Sequence, residues 1–253
     1  MIEFPEGLQP EGDLSPARWV QTALEERPSE GSRIRHHVPP IFEAYARILH
    51  HPTRPTDVRE PTGTWRERAI ELGLQLRSDT SWVDLTRDGD RWWLHPGSLS
   101  EPELESLVRA IGARVAGGHA WFAVWIGVLP PHRGVLLRAR NMGPFTEWWA
   151  RRMGWARMRR EERALDRLPT FEIHGSDAYV LLRGTPQDAV RLFHSLHFQS
   201  PHLWWSDDRG WFVHTGDERT SSYLGGPRAL IEGVVADGSI EAFEVGVDDR
   251  MMF

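Results

Sequence analysis

The sequence contains no cysteine and no lysine, and each absence excludes a class of chemistry. Without thiols there is no disulfide, no thiolate nucleophile and no cysteine-based metal site. Without a side-chain primary amine there is no Schiff-base lysine and no P-loop lysine. All 30 basic residues are therefore arginines, a skew that a GC-rich genome explains without any functional cause. Arginine and tryptophan content alone is accordingly weak evidence of function.

Long apolar runs are also missing. The longest, AWFAVWIGVLPP at 120–131, falls well short of the roughly 20 residues that a membrane-spanning helix needs. The N-terminal residues are acidic and lack the basic and apolar regions of a signal peptide. With 253 residues, 40% of them hydrophobic, the chain can bury a sizeable core. We therefore expect a cytoplasmic protein that does not contact membranes.

The net charge of −6 argues against nucleic-acid binding, because an acidic surface repels phosphate backbones. The exception is the segment 138–167, where nine arginines stand against four carboxylates. Residues 131–169 are interpreted as an Arg/Trp-rich helical linker that packs on the acidic remainder of the protein. The alternative is contact with nucleic acid or anionic lipid. The rings and arginines do not separate onto two helix faces, which argues against a helix in the membrane surface, and a charge run is more often a solvated surface than a binding site.

The order strand, helix, hairpin, helix, strand occurs twice in the predicted elements. Residues 1–30 are expected to form a leader with a short helix capped by Ser15. Residues 31–130 and 170–253 form two α+β halves that either stand as units or pack as one domain. The predicted fold class is α+β, with antiparallel sheets covered by helices. The order is consistent with two tandem βαββαβ, ferredoxin-like units.

The first half contains two capping boxes and one hairpin signal. Thr64-x-x-Glu67 and Ser100-x-x-Glu103 each predict a helix start. The segments 81–85 and 91–95 flank Asp88-Gly89, which predicts a β-hairpin. Residues 41–49 fit either a strand or a helix, and 120–126 indicate a buried strand.

The second half has clearer boundaries. AYVLLRG at 178–184 predicts a strand, and Thr185 followed by Pro186 predicts a helix that runs to about His197. Pro227 begins another helix, and residues 239–247 form a closing strand. Between these helices, SPHLWWSDDRGWFVHT at 200–215 predicts a hairpin with its turn at 206–210.

Catalytic and cofactor motifs are absent from the sequence. It contains no GxxxxGK[ST], GxGxxG, GxSxG or HExxH pattern, so we assign no catalytic residue, metal or cofactor. His194 and His197 share a helix face, and His202 follows them, but a polar helix face explains this spacing better than a metal site. Asp207 and Asp208 lie at a solvated turn, which does not tune a carboxyl group for catalysis.

The predicted hairpin is the best candidate for recognition. Because strand side chains alternate, its neighbouring rings must face opposite sides of the sheet. Half of the rings therefore pack in a core. The others are expected to form a binding surface rich in tryptophan and arginine, the residues that dominate interface hot spots. The candidate binding residues are Trp204, Trp205, Asp208, Arg209, Trp211 and Tyr223.

Three segments carry a resemblance: VPPIFEAYARILHHP (38–52), WFAVWIG (121–127) and SPHLWWSDDRGWFVHTGDERTSSYLGGPRALI (200–231). They resemble a family of uncharacterised actinobacterial proteins with blocks FEAYARI, WFAVW-G and SP-LWW--DR-W-V-T followed by Y-GG. The blocks cover about a third of the chain. The resemblance implies a cytoplasmic setting, and it implies no catalytic residue because the family has no established activity.

These observations favour a non-enzymatic interaction scaffold, regulatory or immunity-like, that binds an unidentified protein through a Trp/Arg surface. This hypothesis predicts that replacing Trp211 or Arg209 abolishes partner binding while the fold stays intact. The alternative is a small-ligand-binding protein or a hydrolase-like enzyme with a cleft between the halves. Its candidate residues are His194, His197, His202, Asp208 and Tyr223.

Overall fold

Ten strands and six helices make up the regular structure of the described residues. The computed structural model describes residues 4–24, 33–54, 57–87, 92–114, 118–129, 166–173, 177–196, 198–216 and 219–252. The strands are β1 (Ala44–Leu49), β2 (Thr53–Arg54), β3 (Asp57–Pro61), β4 (Ala120–Trp125), β5 (Thr170–Ile173), β6 (Asp177–Gly184), β7 (Leu203–Ser206), β8 (Phe212–Thr215), β9 (Ser221–Gly226) and β10 (Ala242–Val245). The helices are α1 (Arg18–Ala23), α2 (Trp65–Glu71), α3 (Trp82–Leu85), α4 (Glu101–Arg114), α5 (Asp188–Ser195) and α6 (Arg228–Val235).

Eight of the strands form one sheet in the order β10-β1-β9-β8-β7-β4-β6-β5, and β2 pairs with β3 in a separate small sheet. All neighbours in the large sheet are antiparallel. Strands β6 and β7 are therefore parallel to each other and flank β4, with α5 as their connection. Strands β9 and β10 flank β1 in the same way, connected by α6. The sheet thus contains two split βαβ units joined through β8.

Helices α4, α5 and α6 cover one face of the sheet, which we call the helical face. Leu107, Ile111, Leu192 and Leu230 from these helices pack there on alternate strand residues such as Phe122. The strands contribute every second side chain to this face because the side-chain period of a strand is two.

The opposite face is covered by non-helical chain and by short helices. Val20 of α1 packs with Ile34, Val38 and Met251 on strand residues such as Leu181. A third cluster lies at the end of β1, where Leu49 contacts Trp65 of α2 and Trp82 of α3. The sheet is therefore buried on both sides.

The α+β class and the antiparallel sheet covered by helices are confirmed. The strand order corrects the expected pair of tandem βαββαβ units. Strands β1 and β4 belong to the first half of the chain, yet each pairs between two strands of the second half. The repeated element in the described chain is therefore the split βαβ unit, and strands of both halves share one sheet.

The predicted hairpin at 81–95 is wrong. Residues 82–85 form α3, because Ser81 and Asp84 make a capping box that the sequence prediction overlooked. In that box the Asp84 carboxylate accepts from the Ser81 N–H at 3.0 Å, and Ser81 Oγ accepts from the Val83 N–H at 3.4 Å. Residues 88–91, including the expected Asp-Gly turn, lie outside the described residues.

Most other predicted elements are present at shifted boundaries. The capping box of Thr64 and Glu67 is confirmed, and within the ambiguous segment 41–49 the strand is Ala44–Leu49. Ser15 does not cap a helix; its N–H and hydroxyl both donate to the Asp13 carboxylate, at 2.9 and 2.8 Å. Strands β2, β3, β5 and β9 were not predicted. The linker expected at 131–169 lies, except for 166–169, outside the described residues.

Candidate functional site

The hairpin β7–β8 places two of the predicted indoles against the helical face. Trp204 and Trp211 are 0% and 1% exposed, and their rings meet edge to face at 5.0 Å. Trp204 also stacks on Phe122 at 6.0 Å. These indoles are interior packing groups beneath the helices.

The remaining rings of the hairpin point to the opposite face, as strand alternation requires. Trp205 and Phe212 are 1% and 0% exposed and stack on each other at 5.9 Å. Trp19 of α1 closes over both of them, edge to face, at 6.1 and 6.0 Å. Tyr223 of β9 is also buried. Of the six predicted binding residues, only Asp208 and Arg209 are exposed.

The turn between β7 and β8 is fixed by its own hydrogen bonds. The Gly210 N–H donates to Ser206 Oγ at 2.7 Å and to Asp208 Oδ1 at 3.0 Å. Hydrogen bonds from Ser206 and then from the Gly210 backbone hold the pKa of the Asp208 carboxyl below its usual value. Arg209 has a backbone φ of 60°, in the left-handed region that non-glycine residues rarely adopt.

Two guanidinium–indole contacts flank this turn. Arg209 lies over the ring of Trp19 at 5.5 Å, and Arg183 of β6 lies over the ring of Trp121 at 5.4 Å. Asp207 connects the second contact to the turn. Its carboxylate accepts from Trp121 Nε1 at 2.7 Å and from Arg183 Nη2 at 3.2 Å. We call this group the turn patch; its members are Trp19, Trp121, Arg183, Asp207, Asp208 and Arg209.

A second polar group crosses the face opposite the helices. Arg47 of β1 pairs in register with Tyr223 of β9, and Tyr223 pairs with His214 of β8. All three side chains are buried, at 1%, 1% and 8% exposure. The half-buried ring of His37 lies 4.9 Å from that of His214. We call Arg47, Tyr223 and His214 the Arg47 row.

Arg47 is held by three hydrogen bonds and one ring. Its Nε donates to Ser221 Oγ at 2.9 Å, and its Nη1 donates to the carbonyls of Ser78 and Thr80, both at 2.8 Å. Its guanidinium lies 5.4 Å from the centre of the Trp65 ring. Burial lowers the pKa of Arg47 and raises that of Tyr223.

A serine–histidine pair lies under the helical face. His50 Nε2 and Ser222 Oγ are 2.9 Å apart, and Ser222 Oγ is 2.7 Å from Thr215 Oγ1. All three residues are 0% exposed, and burial, followed by electrostatic interactions with His95, Arg47 and His51, lowers the pKa of His50 to about 3. A histidine with a pKa of about 3 is too weak a base to activate a hydroxyl group, so this pair is a core hydrogen-bond network rather than a nucleophile and its base.

The residues of the alternative ligand site do not come together. His194 pairs with Glu101 of α4 at 2.9 Å, whereas His202 is buried and its Nδ1 faces the Trp125 N–H at 3.3 Å. Asp208 lies at the exposed turn, and His197 is outside the described residues. Over the described part of the chain, no group of three or more histidines and carboxylates is arranged to hold a metal ion.

Sequence reasoning missed the Arg47 row. The signal was present in AYARIL, where strand alternation puts Arg47 on the same face as Tyr45 and Leu49, both of which are buried. An arginine at an inward strand position indicates either a partner or a ligand. The prediction treated residues 41–49 as ambiguous between strand and helix, so this face was not identified.

No protein-family model, no curated protein and no solved structure matched the chain in our comparisons. None of the helices in the described ranges is long and apolar enough to cross a membrane.

Proposed function

We propose that this protein is a non-enzymatic interaction scaffold, regulatory or immunity-like, that binds a protein partner through the turn patch. We also propose that the protein acts in the cytoplasm. The patch differs from the surface expected from the sequence, because the hairpin indoles are interior. Recognition instead uses the charged turn together with Arg183 and the two indoles, Trp19 and Trp121, that support its guanidinium groups.

The observation that carries the proposal is the conformation of Arg209. A left-handed backbone is less favourable by roughly 1–2 kcal/mol for a residue with a Cβ, and glycine relieves this strain. The turn already contains one glycine, Gly210, and a glycine at position 209 would adopt the observed backbone conformation without strain. An exposed cation–π contact returns only about 0.5–1 kcal/mol. Strain of this kind that the fold does not need is typical of functional positions.

The charge of Arg209 indicates the partner's chemistry. Asp207 already pairs with Arg183, and the Asp208 carboxylate accepts within the turn. Within the described residues, no carboxylate lies at ion-pair distance from Arg209. Its exposed guanidinium is held over Trp19, and a guanidinium group can bind a carboxylate through two nitrogens. We therefore propose a partner that presents an acidic side chain at the centre of its binding surface.

The test uses immobilised protein and a lysate of the source organism, with mass spectrometry of what is retained. Arg209→Gly removes the side chain at a backbone position that glycine accepts. Arg228→Ala is the matched control, because Arg228 is an exposed arginine that pairs with Glu244 and is not a member of the turn patch. We expect a protein retained by wild type and Arg228→Ala, with retention by Arg209→Gly reduced at least about tenfold, as for a hot-spot arginine. Equal retention by Arg209→Gly would refute the turn patch as the binding surface.

A further inference from the structure

The Arg47 row interrupts a face of the sheet that is otherwise apolar. The neighbouring row carries Tyr45, Phe212 and Trp205, all buried and packed against α1 and the chain around Val38. Two residues further along β1, Leu49 packs in the third cluster. Between these apolar layers the sheet presents a guanidinium, a phenol and an imidazole. A core of this kind places hydrogen-bond donors where packing alone would place aliphatic side chains.

Arg47 is a buried cation with no carboxylate in direct contact, although the exposed carboxylate of Asp79 acts on it electrostatically from a greater distance. Its Nε and Nη1 are occupied, but its Nη2 is buried and has no hydrogen-bond partner. Within the described residues, no carboxylate lies at ion-pair distance from Arg47. The Trp65 ring stabilises the positive charge but accepts no N–H hydrogen bond in the guanidinium plane. A buried cation is normally paired, so the vacant donor of Arg47 indicates an anion.

Tyr223 supplies a second donor in the same row. Its hydroxyl oxygen accepts from the Met252 N–H at 2.9 Å, which leaves the hydroxyl proton to donate. Tyr223 lies beside Arg47 on the neighbouring strand. Ser78 and Asp79 are exposed, and the Ser78 carbonyl is 2.8 Å from Arg47 Nη1. Arg47 therefore lies only one residue layer below solvent.

We propose that Arg47 Nη2 and the Tyr223 hydroxyl bind the carboxylate of a small organic acid. One donor from each of two residues paired in register can serve the two oxygens of a carboxylate, whereas a phosphate dianion requires more charge and more donors than this row offers. The rings of Trp65 and Tyr223 favour an acid with an apolar or aromatic body over a polyanion. This site is separate from the turn patch and does not depend on the proposed function.

The test measures thermal unfolding of the full chain with increasing sodium benzoate, at an ionic strength held constant with sodium chloride. Tyr223→Phe removes one donor and keeps the ring. Tyr45→Phe is the matched control, since Tyr45 is a buried tyrosine on the same face whose hydroxyl donates to the Pro39 carbonyl at 3.2 Å, outside the row. Sodium phosphate and sodium acetate serve as comparison anions.

We expect benzoate to raise the unfolding temperature of the wild type and to saturate, as linkage to a single native-state site requires. The apparent affinity should fall roughly 2- to 10-fold in Tyr223→Phe, the effect of one hydrogen bond, and stay unchanged in Tyr45→Phe. Acetate should act more weakly, and phosphate should act no more than chloride. The proposal is overturned if benzoate and acetate stabilise the wild type no more than chloride does, or if Tyr223→Phe binds benzoate as wild type does.

Discussion

His50 shows how one residue in this protein links burial to pH dependence. Its ring is fully buried and bonds to Ser222, and burial lowers its pKa from about 6.5 in the unfolded chain to about 3 in the folded protein. Between these values the unfolded chain binds a proton at His50 that the folded protein does not bind. Stability must therefore rise with pH through this window and fall on acidification.

We predict that His50→Gln weakens the pH dependence of folding, because glutamine cannot titrate. Between about pH 6 and pH 4, the wild-type free energy of unfolding should change more steeply than that of the variant, by up to about 1.4 kcal/mol per pH unit. Urea unfolding at several pH values measures both slopes. Identical slopes would mean that folding does not shift the pKa of His50.

At the scale of secondary-structure elements, two Ser/Thr-x-x-Glu sequences at helix starts differ in burial. Glu67 caps α2 at the surface, where it accepts from the Thr64 N–H at 2.8 Å. Glu103 of α4 is 1% exposed and accepts from the Ser100 N–H at 2.9 Å and from the His51 N–H at 3.1 Å. The buried carboxylate therefore ties the start of α4 to the chain that follows β1.

We predict a large difference between the two alanine variants. Glu67→Ala should lower the free energy of unfolding by about 0.5–1 kcal/mol, as for an exposed cap. Glu103→Ala leaves buried N–H groups unpaired and should lower it by about 3 kcal/mol or more. Chemical denaturation of both variants provides the comparison. Similar decreases in the free energy of unfolding would show that Glu103 contributes no more to stability than an exposed helix cap.

The same scale explains what the sequence could predict. Local signals such as the Thr64 box, the strand at 178–184 and the alternation of rings at 204–212 predicted elements and faces correctly, because they depend on neighbouring residues. The strand prediction for residues 82–85 was wrong because so short an apolar pattern fits the period of a strand and that of a helix equally well. The capping box of Ser81 and Asp84 stabilises the helix. The Arg47 row depends on the pairing of β1 with β9, a contact between residues about 175 positions apart that no local pattern specifies.

At the scale of the whole molecule, the sheet order makes the two halves depend on each other. Strand β4 separates β6 from β7, and β1 separates β9 from β10. Without these two strands, each split βαβ unit loses its central strand. Edges of the four strands β6, β7, β9 and β10 would then be left without hydrogen-bond partners.

We predict that a fragment spanning 166–252 does not fold cooperatively by itself. Circular dichroism should show no sigmoidal thermal transition for this fragment, while the full chain shows one. Adding a fragment spanning 1–129, which restores β1 and β4, should recover a transition. A cooperative transition in the isolated 166–252 fragment would contradict the shared sheet.

The central claim is that the hairpin indoles hold the fold while Arg209 at the turn is retained for binding. The free energy of unfolding of Arg209→Gly, measured beside Trp211→Ala, tests it most directly. Removing a buried indole should lower stability by about 3–5 kcal/mol. In Arg209→Gly, the backbone strain is relieved, which stabilises the folded state. The variant also loses the cation–π contact and gains conformational freedom in the unfolded chain, which together offset that gain. The free energy of unfolding should therefore stay within about 1 kcal/mol of the wild-type value. A loss of more than about 2 kcal/mol in Arg209→Gly would make Arg209 a structural residue and contradict the claim.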